Sequence, residues 1–176
     1  MGAPRKNCGA ARIIGTIVEI PLPSGHIAVI DIDDWESVSK YRWRICRTPW
    51  TLYAQAHHYI NGRRAELQMH RLILSAPFQI EVDHIDHDGL NNRRGNLRLA
   101  TGSQNHGNIR KAPNNTSGYK GVSWHKHTRK WRAYLGTRPT THLGVFADPW
   151  DAAQAYNAAA LSRWGEFALL NIRKGD

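Results

Sequence analysis

Val82-Asp-His-Ile-Asp86, Asn91-Asn-Arg-Arg-Gly-Asn-Leu-Arg-Leu-Ala-Thr101 and Ser103-Gln-Asn105 decide the fold of this 176-residue chain. Ile80-Glu-Val-Asp-His-Ile alternates apolar and polar residues, the period of a strand. Asp86 to Arg94 is a polar loop holding Gly89 and Asn91-Asn92. Asn96-Leu-Arg-Leu-Ala is a short strand, and Thr101-Gly-Ser-Gln-Asn-His-Gly-Asn-Ile opens a helix that Thr or Ser can cap. Strand, loop, strand and helix follow within about 25–30 residues, the size of one supersecondary unit.

Upstream, the chain reads as short strands. Arg12 to Ile20 is rich in Ile and Val and stops at Pro21, Pro23-Ser-Gly is a turn, and His26 to Ile32 is a second β-branched run. Asp33-Asp-Trp-Glu-Ser-Val opens a short helix with carboxylates in its first turn. Trp43–Arg47 and Leu52–Ile60 are two further strands, and Asn61-Gly62 is a hairpin turn. Glu66 to Leu74 reads as strand or helix.

Downstream, Lys111-Ala-Pro-Asn-Asn-Thr-Ser-Gly118 has linker chemistry. Three strands follow, at Gly121-Val-Ser-Trp, Lys130-Trp-Arg-Ala-Tyr-Leu and Thr141-His-Leu-Gly-Val-Phe. The last helix has Asp148 as N-cap, Pro149 at its first position, Asp151 in its first turn and Gly165 as its stop. Ala152, Ala153, Tyr156, Ala159 and Ala160 form its small-residue stripe. The expected class is α+β. A first domain spans 1–110, with a β-rich part at 12–75 and the strand–loop–strand–helix unit at about 80–110. A linker at 111–117 leads to a sheet-and-helix domain at 118–173.

Composition narrows the function. The chain has 24 Lys and Arg against 14 Asp and Glu, a net charge of +10, an isoelectric point near 10.1 and 41% hydrophobic residues with 7 Trp. That apolar content excludes a wholly disordered basic tail. Residues 1–106 carry 13 basic and 10 acidic side chains, residues 107–176 carry 11 and 4, so the shorter C-terminal part is the more basic. An anionic partner, nucleic acid first, is expected. No run approaches the roughly 18–20 apolar residues of a membrane span, and the start lacks the apolar stretch of a signal peptide. Two Cys, Cys8 and Cys46, make neither a disulfide framework nor a four-thiolate zinc site. The expectation is a cytoplasmic protein with no membrane partner and no structural zinc.

Asp83-His84 and Asn105 have the residue types that phosphodiester cleavage requires. A hard divalent cation takes oxygen ligands, which a carboxylate and an amide carbonyl supply. A histidine suits the proton transfer from water at neutral pH. In a regular strand His84 points away from Asp83, so a bend at the strand end would be needed to bring both to one phosphate. Asn96 would hold His84 through a hydrogen bond to ring or backbone. From the residues alone, an Asp-His pair also serves as a turn cap beside a satisfied surface histidine. His87, Asp86, Asp88, Asn91 and Asn92 read as loop and turn formers. His70, Arg71 and His106 are candidates for phosphate contact.

The three clusters, with the upstream Met69-His-Arg-Leu-Ile, resemble the HNH nuclease motif of phage and intron homing endonucleases. The resemblance runs from about Tyr41 to Arg110 and is sharpest at 82–105. It implies a ββα-metal finger in which His84 is the general base. Asp83 and Asn105 would bind one Mg²⁺ or Mn²⁺, and Asn96 would orient the finger. It also implies products with 5′-phosphate and 3′-hydroxyl ends. Ser117-Gly-Tyr-Lys-Gly-Val-Ser-Trp, Leu143-Gly-Val-Phe and Ala152-Ala-Gln-Ala-Tyr-Asn-Ala-Ala-Ala resemble the Apetala-2/ethylene-response-factor DNA-binding domain, over about Ser117 to Ile172. That resemblance implies a three-stranded sheet on one helix, with the sheet entering the major groove.

By this carry-over Lys120, Ser123 and His125 occupy base-reading positions. Trp124, Lys126, Arg129, Lys130, Arg132 and Arg138 complete the candidate DNA contacts. Together these imply a metal-dependent DNA endonuclease of the homing type acting on double-stranded DNA. A monomer would nick one strand, and a dimer or two sequential events would cut both. The other readings are a sequence-specific DNA-binding regulator with an inactive finger and a binder of structured RNA.

Overall fold

The computed structural model describes residues 10–136 and 139–173; the candidate contact Arg138 lies outside the described residues. It is a mixed α/β structure of several small antiparallel sheets and few helices. The chain divides into two compact units, Met1–Thr101 and Gly102–Asp176.

The first unit opens on a three-stranded sheet, β1 (Arg12–Ile14), β2 (Ile17–Pro21) and β3 (Ile27–Asp31). The single run expected over Arg12–Ile20 is thus a hairpin, because Gly15 at φ 60° turns the chain. A short helix, α1 (Trp35–Val38), leads to a second sheet of β4 (Arg44–Arg47), β5 (Leu52–Ile60) and β6 (Arg63–Gln68). Asn61 and Gly62, both at positive φ, form the β5–β6 turn. The ambiguous segment after it holds both forms in succession: β6 ends at Gln68 and α2 (Met69–Ile73) begins.

The third sheet is the pair β7 (Glu81–His84) and β8 (Leu97–Ala100). One apolar core serves all three sheets. Val18, Ile20, Ala28, Ile30, Trp43, Ala54, Ala56 and Met69 are fully buried or nearly so, and Leu90 and Leu97 of the motif pack into the same cluster. Each large aliphatic side chain buried there contributes about 1.5–3 kcal/mol. The role of the N-terminal strands follows from this core: they are the platform on which the motif is built.

Two further contacts fix the motif to that platform. Val29 of β3 donates its N–H to Leu90 O and accepts from Asn92 N. Arg94 donates to both carboxylate oxygens of Asp34, at 2.7 and 3.0 Å, and to Ile73 O, while Arg93 pairs with Asp31. Asp34 is 4% exposed, and that guanidinium is the ion-pair partner of its buried carboxylate.

The second unit begins with α3 (Gly102–Asn108). It continues with β9 (Val122–His125), β10 (Lys130–Leu135), β11 (Thr141–Phe146) and α4 (Pro149–Trp164). The sheet order is β11-β10-β9, all antiparallel, and α4 packs on it. Asp148 caps α4 by accepting from Trp150 N and Asp151 N, with Pro149 at the first helical position. Small Ala152, Ala153 and Ala160 bring the helix close to the sheet. A Cβ on Gly121, at φ 72°, would lie 2.1 Å from the Tyr156 ring. Among the described residues, no helix is long and apolar enough to cross a membrane.

Candidate active site

β7 pairs with β8 without a register shift as far as His84, and Asp83 and His84, adjacent at its end, are both buried. Asp83 lies directly across from Arg98 in the ladder, and its Oδ2 accepts from Arg98 Nε at 2.9 Å and pairs with Nη2 at 2.8 Å. The Arg98 side chain is itself mostly buried, so the carboxylate is held in one orientation.

His84 sits among rings. Its imidazole lies 5.0 Å from that of His70, almost perpendicular at 88°, and 5.6 Å from the Tyr53 ring. Tyr53 in turn meets His70 edge-on at 5.3 Å. Burial pushes the His84 pKa down, opposed by the Asn92 side chain and by Asp86, Asp83 and Asp88. The net shift is downward, so the ring is neutral at pH 7, the form a proton acceptor needs. His70 is more extreme. Burial lowers its pKa to about 3, helped by His84 and Arg71, and its Nε2 is 3.0 Å from Gln68 Oε1.

The loop between the two strands is held from within. Asn96 Oδ1 accepts from Asp86 N at 3.0 Å, and Asn96 Nδ2 donates to Asp86 Oδ1 at 2.9 Å and to Asn91 O at 2.8 Å. Ile85 N donates to Asn96 O. Asn96 thus pins the loop on both sides of its turn, a fixed span beside His84. Asp86 also accepts from Asp88 N and Asn91 Nδ2. Burial would raise the Asp86 pKa, but these two donors, with Asn96 and the nearby His84, bring it below the ordinary value. Gly89 lies flat against β5: a Cβ there would stand 2.3 Å from Leu52 O and 2.6 Å from Tyr53 Cδ1.

The remaining candidates divide. Arg71 spends its guanidinium on Ile80 O, Ala76 O and Pro77 O, closing the turn that leads into β7. His70 is 5% exposed and lines the His84 pocket. Asn105 and His106 stand on α3, in the second unit. There α3 rests on α4: Trp164 Nε1 donates to Ser103 Oγ, and the His106 ring meets the Trp164 ring at 6.2 Å. Gly107 has no room for a Cβ, which would come within 2.8 Å of the Trp164 ring.

Lys120 is turned inward. Its Nζ donates to Gly107 O at 2.7 Å, between the Tyr156 and Trp164 rings, and burial lowers its pKa to about 8. On the sheet, Ser123 pairs with Arg132 and His125 with Lys130, and these four share the face opposite α4. Arg132 lies over the Tyr134 ring at 5.7 Å, and Lys126 and Arg129 occupy the exposed β9–β10 turn. Trp124 and Trp131 meet edge-to-face at 5.1 Å on the other face.

Reading the residues alone passes over Tyr53, Asn92 and Arg98. Arg98 carries a readable signal, since a basic residue in the second strand is the natural cross-strand partner of Asp83. Asn92, read as a turn former, is fully buried. Tyr53 lies thirty-one positions before His84 and carries no sequence signal at all.

The HNH endonuclease family model matches residues 75–106, from the turn before β7 into α3. The chain is 34% identical over 154 residues to an uncharacterized HNH endonuclease of Acanthamoeba polyphaga mimivirus, covering 84% of this chain and 75% of that protein. It is 41% identical over 61 residues to protein 3.8 of Escherichia phage T7, covering 35% of this chain and 50% of that protein. No solved structure is matched. The family match falls on the segment that buries Asp83 and His84 beside a pinned loop, and the likeness to the viral HNH endonuclease extends over most of both chains; the protein belongs to the HNH endonuclease family.

Proposed function

We propose that the protein is a divalent-metal-dependent DNA endonuclease of the homing type, with His84 as its general base. The observation that carries this reading is a buried histidine, ringed by His70 and Tyr53, at the end of the strand that also holds the Asp83 carboxylate. His84 accepts a proton from the water that attacks the scissile phosphorus. The pinned Asp86–Asn96 loop keeps the strand end, and with it the ring, from swinging.

The donor chemistry fits a hard cation. Asp83 offers a carboxylate steadied at Oδ2 by Arg98, and the motif resemblance assigns Asn105 the second protein oxygen. Among the described residues no three His, Cys, Asp or Glu side chains converge as a ligand set, so a cation here would lean on phosphate and water oxygens as well. Mg²⁺ or Mn²⁺ so held supplies charge neutralisation on the scissile phosphate and the departing 3′ oxygen.

The C-terminal unit is proposed to place the enzyme on duplex DNA. Its sheet resembles the Apetala-2-type ribbon, and no residue of β9, β10 or β11 is acidic. Ser123, His125, Lys130 and Arg132 form one outward face of a size suited to a major groove. Lys126 and Arg129 add phosphate contacts at its edge. Lys120 is better read as a buried anchor for α3 than as a base reader.

The test is incubation of supercoiled plasmid and phage genomic DNA with Mg²⁺, Mn²⁺ or chelator. Open-circle or linear product that requires the metal and carries 5′-phosphate ends supports the reading. Tight DNA binding with no metal-dependent product on any substrate overturns it.

A further inference from the structure

The geometry assigns His70 of α2 a positioning role: we propose that its ring, set perpendicular to His84 at 5.0 Å, fixes the direction in which the His84 base points. This rests on the nuclease reading for its consequence, but its structural content is separate from it.

A side-chain base is useful only when its acceptor nitrogen lies within hydrogen-bonding reach of the water it deprotonates. An imidazole hangs on two rotatable bonds, and nothing in the strand backbone selects its ring plane. In this protein the Asn92 side chain bonds to the ring, and two ring neighbours bound it. Tyr53, from β5, stands 5.6 Å away and tilted at 52°. His70 presents an edge-to-face contact at 88°, the geometry in which the positive rim of one ring meets the negative face of the other. His70 is itself fixed by Gln68 and by Tyr53, which packs on it edge-on. A base steadied by a ring that is steadied in turn by two further contacts keeps one orientation.

His70 has little else to do. It is 5% exposed, so it does not present a donor to DNA in this arrangement. Its Nδ1 has no hydrogen-bond partner among the described residues, so that nitrogen contributes nothing to the packing. An aliphatic residue of similar size would satisfy the core at least as well. The ring shape, not the polarity, is what the site uses.

Two variants of the full-length protein separate positioning from packing. His70→Leu keeps the volume and removes the ring; His70→Phe keeps the ring and removes the nitrogens. His84 ring proton resonances are followed by NMR in metal-free protein, and single-turnover cleavage at saturating DNA is measured alongside DNA affinity.

The expectation for His70→Leu is that the His84 signals lose ring-current shift and the cleavage rate falls roughly ten- to hundredfold. DNA affinity and thermal midpoint at pH 7.5 stay near those of the wild type. His70→Phe should recover most of both the shift and the rate. His84 signals unchanged in His70→Leu, or equal losses in the Leu and Phe variants, overturn the proposal. If the wild type cuts no DNA, the nuclease reading fails while the His84 resonances still decide the positioning role.

Discussion

Replacing Asn96 by Ala removes three hydrogen bonds at once: one from Asp86 N–H, one to Asp86 Oδ1 and one to Asn91 O. A neutral intramolecular bond contributes about 1 kcal/mol net, and one to a charged carboxylate about 1.5–3. Water reaches part of this loop, since Asp86 is exposed and Asn91 half-buried, so the low end of each range applies. The expected cost is about 2–3 kcal/mol. Asn96→Asp orders the explanation more sharply. It keeps an acceptor for Asp86 N–H but turns a donor into a second carboxylate facing Asp86 Oδ1, so it should destabilise more than Ala above pH 6. Urea unfolding gives the global cost. Hydrogen exchange of the 84–92 segment gives the local one, with the Asp86 amide losing protection first. A cost below about 0.5 kcal/mol for Ala, or an Asp variant more stable than the Ala variant, refutes the claim that Asn96 pins the loop.

Further outcomes follow from the same geometry. His70 has a folded-state pKa of about 3, below the unfolded value near 6.5, so the unfolded chain binds more protons as pH falls. Stability is complete above pH 6.5 and declines as pH drops toward 3, by about 2 kcal/mol at pH 5 from this residue alone. Urea midpoints between pH 7.5 and 5 should fall more for the wild type than for His70→Phe, and parallel slopes would contradict this. Gly89→Ala drives a methyl into Leu52 O and the Tyr53 ring, and should cost about 1–3 kcal/mol of stability by overpacking, read as a lowered melting temperature, while blunting cleavage. Trp164→Ala removes the ring on which α3 rests and should cost about 3–5 kcal/mol, with α3 amides exchanging faster than those of β7 and β8.

Much of the element order was legible because local chemistry announces it. Asn61-Gly62 can hardly be other than a hairpin turn, and Asp148-Pro149 can hardly be other than a helix start. Strand alternation marked Ile80 to Ile85 as a strand, and β7 runs from Glu81 to His84 within it. What was not legible is partnership at long range. Nothing near Arg94 in sequence says that Asp34, sixty positions earlier, is its counter-ion, and nothing near His84 names Tyr53. Such pairs are chosen by the packing of whole sheets. The inward turn of Lys120 was hidden for a similar reason: the aromatic shelf of Tyr156 and Trp164 beside it is assembled from a helix well downstream. The first hairpin was missed because β-branched residues on both sides of Gly15 hide the turn between them.

The most direct test of the account is single-turnover cleavage of duplex DNA by wild type and His84→Ala at equal DNA occupancy, with Mg²⁺ or Mn²⁺ present or chelated. The account predicts metal-dependent product from the wild type and a loss of roughly two to four orders of magnitude in the variant, with DNA affinity retained. Cleavage by His84→Ala at the wild-type rate would contradict it.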